Sequence, residues 1–487
     1  MTAFNRLQQT EPLMHPRPAL WAAAGSLCAC LVFAFLPAFA RLTLAVIALA
    51  AGVFLFIRQR ALFALPLFFG LLLIRCACIP GALPSGTAEI TGRVQSAVKK
   101  TRAGAEVTLG RLYIHGEREA GTLVLQLPEA LSLSLGDTVT AEVKLTPAEW
   151  DSSQSRGTAV CTGAVSVTEY SGFSPYITAL RWREELEETV TALYAPYAGE
   201  ANGMLLGDRS AMSYTSYAAY KRSGLMHLLC VSGLHVGVVA GAVLFLLRGK
   251  RRLPRFLAAA AFLLLYTALT GFSVSSLRAA LMLLLTTLTT QLGRQKDTLS
   301  ALSLSFSLLL LVNPAYLDDL GFQLSFSSVL GLCCLTRPLT AALPQRCRRF
   351  AAPFAASLAA CIGTAPLLCR ASGQLEWAGL LLSPVAIPVT PFFLIPGWLS
   401  LLFTPVSPAL GYVFSLPARG VLIFLQYLTT LGSFHALSMP VPGAGVLALW
   451  YAALLLLSPY FLPNGKHTPY PGYAVMGAAL GLWLAGC

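Results

Sequence analysis

Long apolar runs alternate with short polar breaks along most of the chain, and one stretch interrupts that rhythm. Residues 19–39, 42–57 and 61–79 are three apolar runs, separated by Arg41 and by Arg58-Gln59-Arg60. Each is close to the ~20 residues a helix needs to cross a bilayer. Residues 85–172 change character: charged residues become common, and short alternating segments stand between Gly, Pro and Asp turns. The alternation predicts strands near 88–98, 105–114, 121–127, 138–146 and 158–168. Five short strands in so small a space predict an OB-like barrel, with a β-sandwich as the alternative. Residues 175–197 carry Trp182, Leu186, Val190, Leu193 and Tyr197 at spacings of three and four, with Arg181, Arg183 and four glutamates on the other face. That is an amphipathic helix, lying on a membrane surface or against the barrel. A polar segment with Gly and Ser follows over 198–227, and from Leu228 onward the chain is apolar again, in about nine or ten runs.

Composition narrows the class. Of 487 residues, 56% are hydrophobic and 11% charged, against about 25% charged in an ordinary soluble domain. So few charges do not cover the surface of a soluble enzyme of this size, and so much apolar content excludes a disordered chain. The expected fold is a polytopic α-helical membrane protein of about 12–13 transmembrane segments with an inserted all-β domain. Its parts are a three-helix N-terminal membrane segment (1–84), the β domain (85–172), an amphipathic helix with a polar linker (173–227) and a membrane domain (228–487).

The net charge of +13 sits mainly in short loops: Arg58–Arg60, Arg248 to Arg255, Arg294 with Lys296, and Arg337 with Arg346, Arg348 and Arg349. Placing these four in the cytoplasm makes the crossings alternate consistently, by the excess of Lys and Arg in cytoplasmic loops. The N-terminus is then cytoplasmic and the β domain outside, in a bacterial plasma or inner membrane. The β domain has about eight Lys and Arg against ten Asp and Glu, so bulk charge gives no argument for nucleic acid. A local cluster remains in Lys99, Lys100, Arg102, Arg111 and Arg118, expected on one hairpin with Tyr113. It reads either as a solvated hairpin end or as a DNA contact with Tyr113 stacking on a base. The twelve cysteines are scattered without a CxxC pair and read as small apolar fillers.

Polar groups in membrane segments are costly and are candidates for function. Three places stand out: Lys221 to Val236 with His227, Ser232, Gly233 and His235; Gly271 to Arg278; and Asp318 to Ser328 with Gln323 and Ser325. By the loop count, each begins a helix running inward from the outer face. Helix N-termini favour anions, and Arg278 adds a fixed positive charge. The expectation is an anion-lined vestibule facing the β domain. The alternatives are serines that only mediate helix packing and an Arg278 that reaches back to headgroups. A Ser232/His235 hydrolytic pair lacks a GxSxG elbow and an orienting group. No HxH, HExxH or P-loop motif occurs. No enzymatic activity, metal or cofactor is therefore expected.

These residues resemble ComEC-type competence proteins. Gly207-Asp208-Arg209-Ser210, followed by Arg222-Ser-Gly-Leu-Met-His227-Leu-Leu-Cys-Val-Ser232-Gly-Leu-His235-Val, is similar to the family signature. Thr270 to Ala280 and Gly321-Phe-Gln-Leu-Ser325-Phe are similar to its next two motifs. The resemblance is densest over 199–335, within a family region of 199–465. It implies a channel that imports single-stranded transforming DNA, with an OB-like outer domain. It marks Asp208, Arg209, His227, Ser232, Gly233, His235, Arg278, Gln323 and Ser325 as motif positions. Many members continue into a metallo-β-lactamase-like nuclease domain; here Cys487 follows an apolar run. A separate nuclease and a cytoplasmic motor or DNA-binding protein are expected as partners, besides DNA and membrane lipid. A carrier of small anions or lipid-linked substrates through the same vestibule is the other functional reading.

Overall fold

The computed structural model describes residues 18–33, 38–57, 64–79, 83, 85–96, 98–101, 104–128, 133–147, 155–249, 251–293, 297–346, 348–432, 436–458 and 470–485. Three apolar helices open the chain: α1 (Pro18–Phe33), α2 (Ala38–Ile57) and α3 (Ala64–Ala77). Six strands follow: β1 (Gly86–Val94), β2 (Lys99–Thr101), β3 (Gly104–Ile114), β4 (Glu117–Leu127), β5 (Thr138–Pro147) and β6 (Ser155–Thr168). They run in the order β1-β5-β6-β4-β3, and β1 also pairs with β3, which closes a five-stranded barrel. All its ladders are antiparallel except β4 with β6. Five strands were expected, and five form the barrel. The first ends at Val94, four residues short of the expected 98, with Gln95 still donating in register to the Thr108 carbonyl of β3. The three-residue β2, which the alternation did not show, extends the β3 edge.

Alternation builds the barrel core. Ala105, Val107 and Leu109 of β3 point inward, then the register shifts at Arg111, and Leu112 and Ile114 point inward after it. This bulge, with Arg111 at φ 49°, turns Arg111 and Tyr113 outward. Ile90, Leu123, Leu125, Val139 and Val143 complete the interior, each contributing about 1.5–3 kcal/mol when fully buried.

The helix α4 (Pro175–Tyr194) leaves the barrel and enters the membrane bundle. Ile177 belongs to the barrel core, whereas Val190 and Tyr194 belong to the bundle core, where the Tyr194 hydroxyl bonds Ser400 at 2.8 Å. Trp182, expected on the buried stripe, is half exposed instead. The other expected positions, Leu186, Val190, Leu193 and Tyr197, pack on the bundle core, while Ile177 on another face of the helix packs on the barrel. The segment expected to be a polar linker is packed. In α5 (Ala198–Leu205) every residue from Gly199 to Leu205 is buried, Glu200 and Asn202 included. Then come α6 (Tyr214–Arg222) and a 3-10 turn, Met226–Leu229.

The bundle continues as α7 (Gly233–Leu246), α8 (Arg252–Leu269), α9 (Val274–Gln291), α10 (Thr298–Val312), α11 (Leu320–Ala341), α12 (Arg348–Ser372), α13 (Ala378–Val389), α14 (Pro391–Phe403), α15 (Pro408–Leu431), α16 (Ala444–Leu457) and α17 (Tyr470–Leu484). Among the described residues, α11, α12 and α15 are long and apolar enough to cross a membrane, and α13 with α14, bent by 44°, make a fourth unit. Eight further apolar helices are shorter, at 10–17 residues. The expected count of about 12 is reached only if these also cross.

Two contacts fix which helix ends face the barrel. Arg75, at the end of α3 that leads into the barrel, donates to the Leu311 and Val312 carbonyls that close α10. Arg183 of α4 lies against Gly271, just before α9. The starts of α9 and α11 therefore face the barrel. The basic residues Arg248, Arg251, Arg255, Arg337, Arg348 and Arg349 lie toward the opposite ends of their helices. Arg58–Arg60, Arg294 and Lys296 lie outside the described residues.

Candidate functional site: three helix starts around a buried arginine

The three polar segments become three adjacent helix starts. At α7, Ser232 is the cap residue, and its N–H and hydroxyl lie 3.3 and 2.9 Å from the His235 Nδ1. A ring nitrogen that accepts a backbone N–H carries no proton of its own, so the neutral ring bears its proton on Nε2. That atom is buried and closes no hydrogen bond. The Ser232/His235 pair thus acts as a helix cap. At α9, the Ser273 hydroxyl accepts from the Ser276 N–H at 3.3 Å. At α11, the cap is Asp319, whose carboxylate accepts from the Phe322 N–H at 2.7 Å. A carboxylate there already offsets the positive end of the helix. The α11 start, capped by a carboxylate, thus differs from the α7 and α9 starts, which are capped by hydroxyls.

The starts meet around α9. Ser275 and Ser325 hydroxyls are 3.4 Å apart, joining α9 to α11. Arg278, one turn into α9, is 6% exposed. Its guanidinium lies 5.9 Å from the Phe326 ring of α11 and beside Gly233 of α7. One Nη reaches only the Met282 sulfur, at 3.6 Å, and Nε has no partner. Among the described residues, Arg278 forms no ion pair. It lines a cavity of about 240 Å³ with Gly233, Val236, Gly237, Met282 and Thr286. A cation buried without a paired anion carries an uncompensated desolvation cost.

The Gly207-Asp208-Arg209 turn joins this region. Gly207, at φ 80°, lies against Val231 and the Thr270 carbonyl, the residues leading into α7 and out of α8. The Asp208 carboxylate accepts from the Ser210 N–H and hydroxyl at 2.9 and 2.8 Å, which fixes the turn, and Arg209 is exposed. His227 is exposed on the 3-10 turn, with Nδ1 donating to the Gly224 carbonyl at 3.1 Å. Gln323 donates to the Leu317 carbonyl at 2.8 Å and so holds the turn before α11. Phe326 and Met282, which enclose Arg278, were not singled out from the sequence. Their signal was their spacing of four from Phe322 and from Arg278.

The expected basic cluster on the barrel divides in two. Tyr113 and Arg118 are cross-strand neighbours on the β3–β4 hairpin, with Arg111 beside them, all outward and exposed. Lys99 and Lys100 sit on β2, opposite Glu106 and Ala105 at the far end of β3, about 26 Å away by strand rise. Arg102 lies outside the described residues. No group of three or more His, Cys, Asp or Glu that could hold a metal occurs among the described residues.

The competence protein family model matches residues 204–463. The chain is 28% identical over 257 residues to ComE operon protein 3 of Bacillus subtilis (strain 168), covering 52% of this chain and 32% of that protein. It is 31% identical over 282 residues to Competence protein ComA of Neisseria gonorrhoeae, covering 53% and 38%. It is 26% identical over 218 residues to Recombination protein 2 of Haemophilus influenzae, covering 41% and 28%. The matched region thus spans about a third of the length of these relatives. No solved structure matches. The matched residues hold the turn at Asp208, all three helix starts and Arg278, and with more than half of its length inside the match this chain belongs to the competence protein family.

Proposed function

We propose that the protein passes single-stranded DNA through a membrane during DNA uptake, with the barrel outside and the basic helix ends in the cytoplasm. The observation that carries this reading is Arg278, buried without a counter-ion at the barrel-facing end of the bundle. A phosphodiester supplies the missing anion, and the hydroxyl-capped starts of α7 and α9 add their N–H groups. The barrel's strand order and its single parallel pair support an OB-like reading. In such barrels the face of the second and third strands binds oligonucleotides, and that hairpin here bears Arg111, Tyr113 and Arg118. Tyr113 offers a ring for base stacking and the arginines meet the backbone. The energy for passage comes from a partner on the cytoplasmic side.

The test is uptake of labelled DNA into a form that external DNase cannot reach, in a deletion strain carrying the full chain. A charge-assisted contact is worth about 1.5–3 kcal/mol, so Arg278→Ala lowers protected label by at least about tenfold at an unchanged protein level. Arg278→Lys, which keeps the charge and loses the fork, falls between. Uptake by Arg278→Ala equal to wild type would overturn this role.

A further inference from the structure

The seam between α7 and α9 below Arg278 is not explained by packing. Gly233, Gly237 and Gly241 stand at intervals of four and share one face of α7. All three are exposed, and a Cβ on Gly237 or Gly241 would meet nothing within 4 Å. Each glycine in a helix interior costs about 1 kcal/mol relative to Ala, here with no close helix approach to require it. The space they leave is not isolated. A second cavity of about 240 Å³ adjoins the one at Arg278 and shares Leu283 and Thr286 with it. It is lined by Leu244 of α7, Arg255 of α8, and Thr287, Thr290 and Gln291 of α9. All α9 lining residues fall at spacings of three and four, so they form one stripe. From Arg278 to Gln291 that stripe runs about 20 Å along the helix.

The geometry points to one continuous track along the α7–α9 seam, entered at Arg278 and left at Arg255, that carries the single-stranded DNA. It rests on the DNA-passage reading above and adds the route and its exit. The lining suits a nucleotide chain. An arginine stands at each end for phosphate. Between them, the Thr286, Thr287 and Thr290 hydroxyls donate to carbonyls of their own helix at 2.9, 2.6 and 2.6 Å. Their remaining lone pairs accept from base N–H groups. The glycines leave a trough without side chains on the facing wall. Glycines at intervals of four also form helix-pairing faces in membranes, and a second copy is the rival occupant. A pairing seam exposed to hydrocarbon would not hold a buried arginine without a counter-ion.

The test introduces single cysteines into the full-length protein as Gly237→Cys, Thr286→Cys, Thr290→Cys and, off the stripe, Thr289→Cys. A membrane-impermeant thiol reagent is then applied, and label gained over the parent is read. Such reagents need the thiolate, which forms in water, so the three track positions label at least about tenfold faster than Thr289→Cys. A single-stranded oligonucleotide slows their labelling, and Gly237→Leu suppresses labelling at Thr290→Cys. Equal rates at all four positions overturn the track, while loss of uptake in Arg278→Ala would leave the DNA-passage reading standing. Protection by inorganic phosphate but not by the oligonucleotide overturns DNA as the cargo of the track. A disulfide between copies through Gly237→Cys assigns the seam to a second copy and also overturns it.

Discussion

Two seams in the bundle use glycine for opposite ends. Where α11 crosses α12, Gly331 and Gly363 face each other. A Cβ on the first would strike the Ala359 carbonyl, and one on the second the Ser327 carbonyl. These glycines allow contact. Along α7, the glycines border empty space. The α11–α12 seam is also satisfied in its backbone. Pro366 in α12 has no N–H, which leaves the Ile362 carbonyl without its helical partner. The Trp450 indole of α16 donates to that carbonyl at 3.0 Å, and the Tyr451 hydroxyl donates to Gly363 at the same distance. The α7–α9 seam keeps an arginine Nε unpartnered. One seam is completed by the protein; the other is left for something else to complete. Glycine thus stands for close contact in one place and open space in another, and only the neighbouring backbone decides which.

The strongest way to break this contrast is a large side chain at each seam. Gly331→Leu meets the α12 backbone at Ala359 and Gly363, and overpacking against backbone costs about 3 kcal/mol, the upper end of the usual range. It should remove most folded protein from the membrane, read as detergent-soluble monodisperse material. If it accumulates like wild type, the seam is not closed as described. Second in size is Trp450→Phe, which leaves the Ile362 carbonyl unsatisfied at about 1–3 kcal/mol. In a Pro366→Ala background, where the helix supplies its own N–H, the same change should cost far less; equal costs in both backgrounds in a thermal-unfolding cycle would refute the compensation. Third, Gly237→Leu should leave the melting temperature unchanged or raise it slightly, since a better helix former enters open space, while DNase-protected uptake is lost. A melting temperature falling as far as that of Gly331→Leu would erase the distinction.

The smallest effect lies outside both seams and sets the floor of such measurements. Burial first, and then the neighbouring Glu188 and Glu187, raise the Glu184 carboxyl on α4 above its ordinary range. Its folded form binds a proton more readily than the unfolded chain. This group therefore adds stability as pH falls toward its folded pKa and withdraws it as pH rises. Glu184→Gln should be slightly more stable than wild type at pH 7, with the difference closing by pH 4, in thermal melts at several pH values.

Much of this was legible in the residues. The barrel strands follow alternation, and Arg278 is conspicuous as a lone cation in an apolar run. The cap at Asp319, which sets the α11 start apart, became visible only from its 2.7 Å bond to the Phe322 N–H. Other features depended on contacts distant in sequence. The β3 bulge at Arg111 reverses which side chains face out, and no local pattern announces it. Gly199, Gly203, Glu200 and Asn202 gave α5 the look of a linker, yet small residues are what let a helix sink among α14 and its neighbours. Trp182 sits at the right interval for burial and is half exposed, because α4 serves two cores that impose their own rotation. Phe326 and Met282 became partners of Arg278 only once α9 and α11 lay side by side.

That double allegiance of α4 has a mechanical consequence. A helix of 20 residues, about 30 Å long, is clamped at both ends. Ile177 is set in one core, Val190 and Tyr194 in the other. Arg181 ties it to the Leu135 carbonyl at the barrel, and Arg419 ties the Ala195 carbonyl to α15. Such a strut cannot swivel freely. A pull on the barrel arrives at Tyr194 and Ser400 as a lever displaces its fulcrum, so a load taken up by the barrel becomes a torque within the bundle.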